Sequence, residues 1–193
     1  MPAPKVLVFA GSLRAESLNK RLARLAAAEV RAAGGESTLV DLRDYPLPLF
    51  DEDLERDEGL PASARRLKDL FIGHAGLYIA CPEYNASLSA VLKNAFDWVS
   101  RQHGGESGLL CYEGKVAALC GATPGQFATL RAMEAVRQVL MQLGCNVLAR
   151  RVGVARGGEA FDEAGALRDP LLAGALRAQA VELVRLASVA RPG

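Results

Sequence analysis

Three short, almost unbroken hydrophobic runs, Lys5–Ala10 (KVLVFA), Gly76–Cys81 (GLYIAC) and Lys115–Gly121 (KVAALCG), alternate along the chain with segments whose apolar residues fall at helical spacing. A strand that is apolar on both faces must be covered on both faces, and a parallel sheet between two layers of helices meets that demand. Two further strand patterns, Ser37–Leu42 (STLVDL) and Cys145–Arg150 extended by Val152–Ala155, complete a set of five. The first helix is read over Ser17–Ala33, with Leu18, Leu22, Leu25, Ala26 and Val30 on one stripe and Gly34-Gly35 as its stop. Others are expected over Pro61–His74, Ser87–Arg101, Gly125–Leu143 and Ala166–Val189. Tyr45–Phe50, with Pro46 and Pro48, reads as an extended loop, Asp51–Gly59 as an acidic, irregular excursion and Gln102–Gly114 as a surface loop.

Strands alternating with helices imply an α/β three-layer sandwich. Right-handed crossovers in a chain of 193 residues favour a five-stranded parallel sheet in the flavodoxin-like order 2-1-3-4-5, with helices on both faces. That length suits one domain, expected to span residues 1–193. In such sheets the ligand lies beyond the carboxyl ends of the strands, where the strand order reverses.

Charge excludes several partners. The formal net charge is +1, with no basic block, which argues against nucleic acid and anionic membranes because both demand clustered Lys and Arg. No apolar stretch reaches the ~20 residues of a membrane span, and Met1–Pro4 leads straight into the first strand, so a cytoplasmic address is expected. The four cysteines form no CxxC pair and are read as small buried hydrophobes. His74 and His103 have no partner at ligand spacing, so no metal is expected; His74 is read as a helix-end residue suited to a cation.

Three loops carry the polar chemistry. The first, Gly11–Asn19 (GSLRAESLN), brings hydroxyls at Ser12 and Ser17, the guanidinium of Arg14 and the amide of Asn19 to the start of a helix. Unpaired N–H groups and the positive end of the helix dipole make that place suited to a phosphate monoester. The loop matches neither GxxxxGK[ST] nor GxGxxG, so neither ATP nor a Rossmann pyrophosphate is indicated. The second loop, Cys81–Ser87 (CPEYNAS), offers a stiff turn at Pro82, the flat face of Tyr84 and the amide of Asn85, a setting for a planar heteroaromatic ring. Glu83 is read as a positioning group rather than a general base, and Trp98 as core or subunit interface rather than a ring-stacking residue. The third loop, Gly121–Thr129 (GATPGQFAT), lets the backbone approach a ligand around Thr123, Pro124 and Gly125.

At these residues the chain resembles the NAD(P)H-dependent FMN reductase family, which includes flavin, quinone and chromate reductases and some azoreductases. The matching stretches are GSLRAESLNKRLA (11–23), CPEYNASLSAVLKNAFDWVSR (81–101) and GATPGQFATLRAMEAVRQVLMQLG (121–144). The resemblance implies FMN as cofactor and NADPH or NADH as hydride donor, with hydride passed through the flavin to another flavin, a quinone or a similar small acceptor. It implies that Ser12, Arg14, Ser17 and Asn19 hold the FMN phosphate and that Pro82, Glu83, Tyr84 and Asn85 border the ring, with Thr123, Pro124 and Gly125 completing the site. The chemistry rests on FMN, with no catalytic side chain, and backbone N–H groups tune it. The competing readings are a one-electron carrier of flavodoxin type, against which the near-neutral charge speaks, and a non-catalytic flavin-binding module. Family habit and the apolar residues Phe96, Trp98 and Val99 suggest a homodimer or homotetramer.

The chain departs from the family at Ala128-Thr129, where a Gly-Gly pair is usual. If the loop keeps its path, these side chains are expected to narrow the space over the flavin; otherwise they lie one turn into the helix and never face it.

Overall fold

In the computed structural model, which describes residues 2–190, the chain runs through β1 (Lys5–Ala10), α1 (Leu18–Ala32), β2 (Glu36–Asp41), α2 (Glu52–Glu58), α3 (Ala62–Ile72) and β3 (Gly76–Ala80). It continues through β4 (Glu83–Tyr84), β5 (Ser87–Leu88), α4 (Ala90–Val99), β6 (Val116–Ala122), α5 (Leu130–Gln142), β7 (Asn146–Val154) and α6 (Pro170–Ala187). The parallel sheet has the order β2-β1-β3-β6-β7. With the two-residue strands of the β4-β5 hairpin set aside, this is the expected 2-1-3-4-5. Alternation of side chains splits the core in two. Val6, Val8, Tyr78 and Cys120 face α1 and α6, while Leu7, Phe9, Leu77, Ile79 and Leu119 face α3, α4 and α5. Strand order reverses between β1 and β3, so the β1, β3 and β6 exits share one rim.

Three long polar side chains buried in this core, Lys68, Lys115 and Gln179, are tied to main-chain carbonyls. The Lys68 ammonium, fully buried, donates to Arg101 O at 2.7 Å and Val99 O at 3.3 Å, closing the carboxyl end of α4. Lys115 does the same for α3, donating to His74 O at 2.6 Å. Both put a cation at the negative end of a helix dipole. Where β6 and β7 lose register between Ala117 and Leu119, the Gln179 amide donates to Leu119 O at 3.1 Å and Arg150 O at 2.6 Å, and its oxygen accepts from the Tyr78 hydroxyl at 2.6 Å. All four cysteines are free and buried, and burial pushes the Cys145 thiol up to about 12.

Several local expectations are corrected. The acidic stretch is not irregular: Glu52–Glu58 forms α2, capped by Asp51, whose carboxylate accepts from Asp53 N–H at 2.8 Å, and closed by Gly59 at φ 78°. None of its residues is buried, so no apolar stripe announces it, while its acidic first turn suits the positive end of the dipole. The helix expected from Ser87 begins at Ala90 under a Ser89 cap, because Asn85 and Ala86 turn the chain back through a hairpin with φ of 49° and 62°. The helix expected from Gly125 begins at Leu130. Phe96, Trp98 and Val99 are buried within the chain and present no surface to a partner; the Trp98 indole N–H donates to Pro48 O at 2.8 Å. His74 is no helix-end cation. Its Nδ1–H donates to Leu70 O at 2.5 Å and its Nε2 lies 2.7 Å from the Thr38 hydroxyl. Burial pushes the imidazole below its ordinary value, outweighing the bond to Leu70, and Lys5 and Lys115 act in the same direction as burial. Among the described residues, no helix is long and apolar enough to cross a membrane.

Candidate functional site

A cleft of about 200 Å³ opens where β1, β3 and β6 end, lined by Arg14, Ser17, Leu18 and Asn19 from the first loop and helix, Pro82, Glu83 and Tyr84 from the second, and Ala122, Thr123 and Pro124 from the third. A hollow of about 230 Å³ beside Lys20 and Asp41 is slightly larger, but it lies at the β2 edge of the sheet, where the Lys20–Asp41 ion pair of 2.5 Å spans it. The chemistry of unpaired donors is found in the cleft.

Gly11 leaves β1 under the side chain of Leu92, to which a Cβ would come within 2.3 Å, so only glycine permits α4 to pack there. Its carbonyl accepts from the Ser89 hydroxyl at 2.7 Å, tying the first loop to the α4 cap. Ser17 enters α1 in extended conformation (φ −76°, ψ 128°), and its Oγ accepts from Asn19 N–H at 3.2 Å. Among the described residues the backbone N–H groups of Ser12, Leu13, Ala15, Glu16 and Ser17 find no protein acceptor, and the Arg14 guanidinium makes no ion pair or hydrogen bond. Ser12 is buried; its Oγ accepts from Arg14 N–H at 3.4 Å. The result is a loop rich in free donors at the positive end of a helix.

Asn19 has a different arrangement from its neighbours. Its Nδ2 donates to Ala122 O and its Oδ1 accepts from Ala122 N–H, both at 2.9 Å. This pair of hydrogen bonds pins α1 to the end of β6 and sets the distance between the first and third loops.

The carboxylate of Glu83 accepts from Arg131 N–H at 3.1 Å, Ala132 N–H at 3.3 Å and Arg131 Nε at 2.8 Å, and Arg131 Nη2 adds a further close bond. It therefore plugs the amino end of α5. Burial alone would raise this carboxyl, but the bonds from Arg131 and Ala132 outweigh it and hold the group below the usual carboxylate range. Arg131 in turn lies 4.4 Å over the exposed ring of Phe127. Tyr84 is exposed at the mouth of the cleft, while Asn85 stands at the hairpin tip, outside the lining. Gly125 also lies outside it; its N–H donates to Thr123 Oγ1 at 3.2 Å.

Ala128 and Thr129 neither narrow the cleft nor lie inside the helix. Both hold left-handed backbone, with φ of 50° and 56°, directly ahead of α5. Thr129 is fully buried, its Oγ1 has no hydrogen-bond partner, and it sits so close over Gly121 that a Cβ there would come within 1.9 Å. Ala128 is set against Gly153, where a Cβ would meet the Ala128 carbonyl oxygen at 2.5 Å. Glycines on the neighbouring strands make room for the side chains that the loop gained.

The sequence reading also passed over the loop after β7. Gly157 N–H donates to Thr123 O at 2.8 Å and Arg156 N–H to Gly125 O at 3.0 Å, so this fourth loop buttresses the third. The Gly157-Gly158 pair just past the last strand was the available signal.

The NADPH-dependent FMN reductase family matches residues 4–159. An NAD(P)H-dependent FMN reductase of Pseudomonas aeruginosa is 36% identical over 166 residues, covering 86% of this chain and 85% of that protein. A 2-hydroxy-1,4-benzoquinone reductase of a Burkholderia species is 38% identical over 141 residues, covering 73% of this chain and 72% of its own length. Among solved structures, the flavoenzyme NAD(P)H:(acceptor) oxidoreductase of Paracoccus denitrificans superposes with a TM-score of 0.80 at 27% identity, covering 96% of this chain and 97% of that one. With the crossover order, the donor-rich first loop and these likenesses together, the chain belongs to the NADPH-dependent FMN reductase family.

Proposed function

We propose that this chain is an FMN-dependent NAD(P)H oxidoreductase that passes hydride from NADPH or NADH to a flavin, a quinone or a similar small acceptor. The observation that carries this reading is the first loop: five free backbone N–H groups, the Ser17 cap and the unpaired Arg14 guanidinium meet at the start of α1. That donor set fits a phosphate monoester, which offers only acceptors and negative charge. Bound there, FMN supplies the hydride-accepting and hydride-donating chemistry, and no side chain of the cleft is needed as acid or base.

The chain's own residues bind and orient. Ser12, Arg14 and Ser17 hold the phosphate, while Asn19 fixes how far the third loop stands from it. Pro82 and Tyr84 border the ring, with Asn85 at the hairpin tip; Glu83 keeps this edge in place by anchoring it to α5. Thr123 and Pro124 form the opposite edge, with Gly125 behind them holding the Thr123 hydroxyl. One flavin-binding domain over residues 1–193, a cytoplasmic setting, a homodimer or homotetramer and no nucleic-acid or membrane partner complete the reading.

An absorption spectrum of the purified protein, followed by anaerobic mixing with each nicotinamide, tests it. A yellow protein that NADH or NADPH bleaches, and that an added quinone restores, is the expected result. A protein that takes up no FMN, or whose flavin neither nicotinamide bleaches, defeats the reading.

A further inference from the structure

The fourth loop holds an arginine in an unexpected conformation. Arg156 has φ of 48°, a left-handed backbone that non-glycine residues disfavour. Two glycines follow it directly, yet the left-handed position is held by the arginine. The conformation is held firmly: Arg156 N–H donates to Gly125 O at 3.0 Å, its carbonyl accepts from Glu159 N–H at 3.0 Å, and Gly157 N–H reaches Thr123 O at 2.8 Å. Gly157 also lies against Leu18, the first residue of α1, so closely that a Cβ would come within 2.6 Å of Leu18 Cδ1. Arg156 itself is outside the cleft lining, but its turn is fastened to Thr123 of the third loop and to Leu18 of α1, which line the cleft together with Arg14.

Its side chain is exposed and, among the described residues, makes no ion pair or hydrogen bond; Glu16 and Glu159, the acids of the adjoining loops, leave it unpaired. A non-glycine residue held in this conformation beside a cleft, with its charged side chain left free, points to a ligand. A phosphate monoester near neutral pH carries roughly −1.5 to −2 charges, more than one guanidinium neutralises. Resting on the FMN reading above, we propose that Arg156 is a second phosphate-binding guanidinium, acting with Arg14 at the α1 end of the cleft.

The test is titration of the flavin-free full chain with FMN and, separately, with riboflavin, which lacks the phosphate. Arg156→Gly and Arg156→Ala should each weaken FMN by about tenfold, the effect of one lost charge-assisted hydrogen bond, and leave riboflavin within about twofold. Arg156→Lys should retain part of the FMN affinity. Arg156→Gly should also melt at a higher temperature than the parent without flavin, since glycine accepts the left-handed turn. Equal shifts for both flavins, or no shift for either, overturn the assignment. Arg14→Ala separates the two levels. If it selectively weakens FMN while the Arg156 variants do not, only the role of Arg156 falls; if it too fails to distinguish the flavins, the phosphate site falls with it.

Discussion

Two loops of this molecule start from the same design and end differently. Each follows a central strand and leads into a helix whose first N–H groups point toward the cleft rim. The loop before α1 enters its helix through Ser17 in ordinary extended backbone, and its free amides and Arg14 stay open. The loop before α5 enters through two left-handed residues without a side-chain cap, and a carboxylate from elsewhere in the chain, Glu83, takes the first amides. One helix dipole is left for an outside anion; the other is neutralised from within. A helix start stays open to an outside anion only where the fold brings it no carboxylate of its own.

The largest expected effect breaks the open end. Arg14→Ala should weaken FMN by about 1.5–3 kcal/mol, the range for a hydrogen bond to a charged group, and riboflavin far less. Flavin fluorescence titration measures both, and equal losses would mean that the loop does not read the phosphate.

Glu83→Gln probes the closed end. It removes the charge while keeping the size, and should destabilise the protein by about 1–2 kcal/mol through loss of a charged cap on α5. The folded carboxyl lies below its unfolded value of about 4.3, so its contribution is fully present above that pH and is lost as pH falls through the folded value. The stability gap between parent and variant, followed by urea unfolding, should therefore close in acid. A gap that does not change with pH would assign the effect to packing.

The smallest effect concerns the strained entry to α5. Ala128→Gly should stabilise by about 0.5–1 kcal/mol, the relief of left-handed strain less the added entropy of the unfolded chain. Stopped-flow reduction of the bound flavin should not change, because the side chain rests on Gly153 rather than over the cleft. A faster rate in this variant would restore the view that Ala128 crowds the flavin.

The sheet strands were readable because a strand buried on both faces leaves an unbroken apolar run, and Lys5–Ala10 and Gly76–Ala80 could be little else. The first loop was readable for a related reason: Ser12, Arg14 and Ser17 serve a local need at one helix start and so lie together in the chain. By itself, then, the sequence determined the crossover order, the family and the composition of the three loops. Only the tertiary structure decided what those residues touch. Asn19 meets Ala122 across 103 positions, Glu83 meets Arg131 across 48, and Lys68 finds the end of α4 across 31 and 33. Such partners share no period and no spacing, so no pattern in the chain reports them. The same holds for Ala128 and Thr129, whose side chains find room only because Gly153 and Gly121 lie on neighbouring strands. Periodicity records which face of an element is buried; contacts between distant elements follow from packing in three dimensions, where the competition between acceptors is settled.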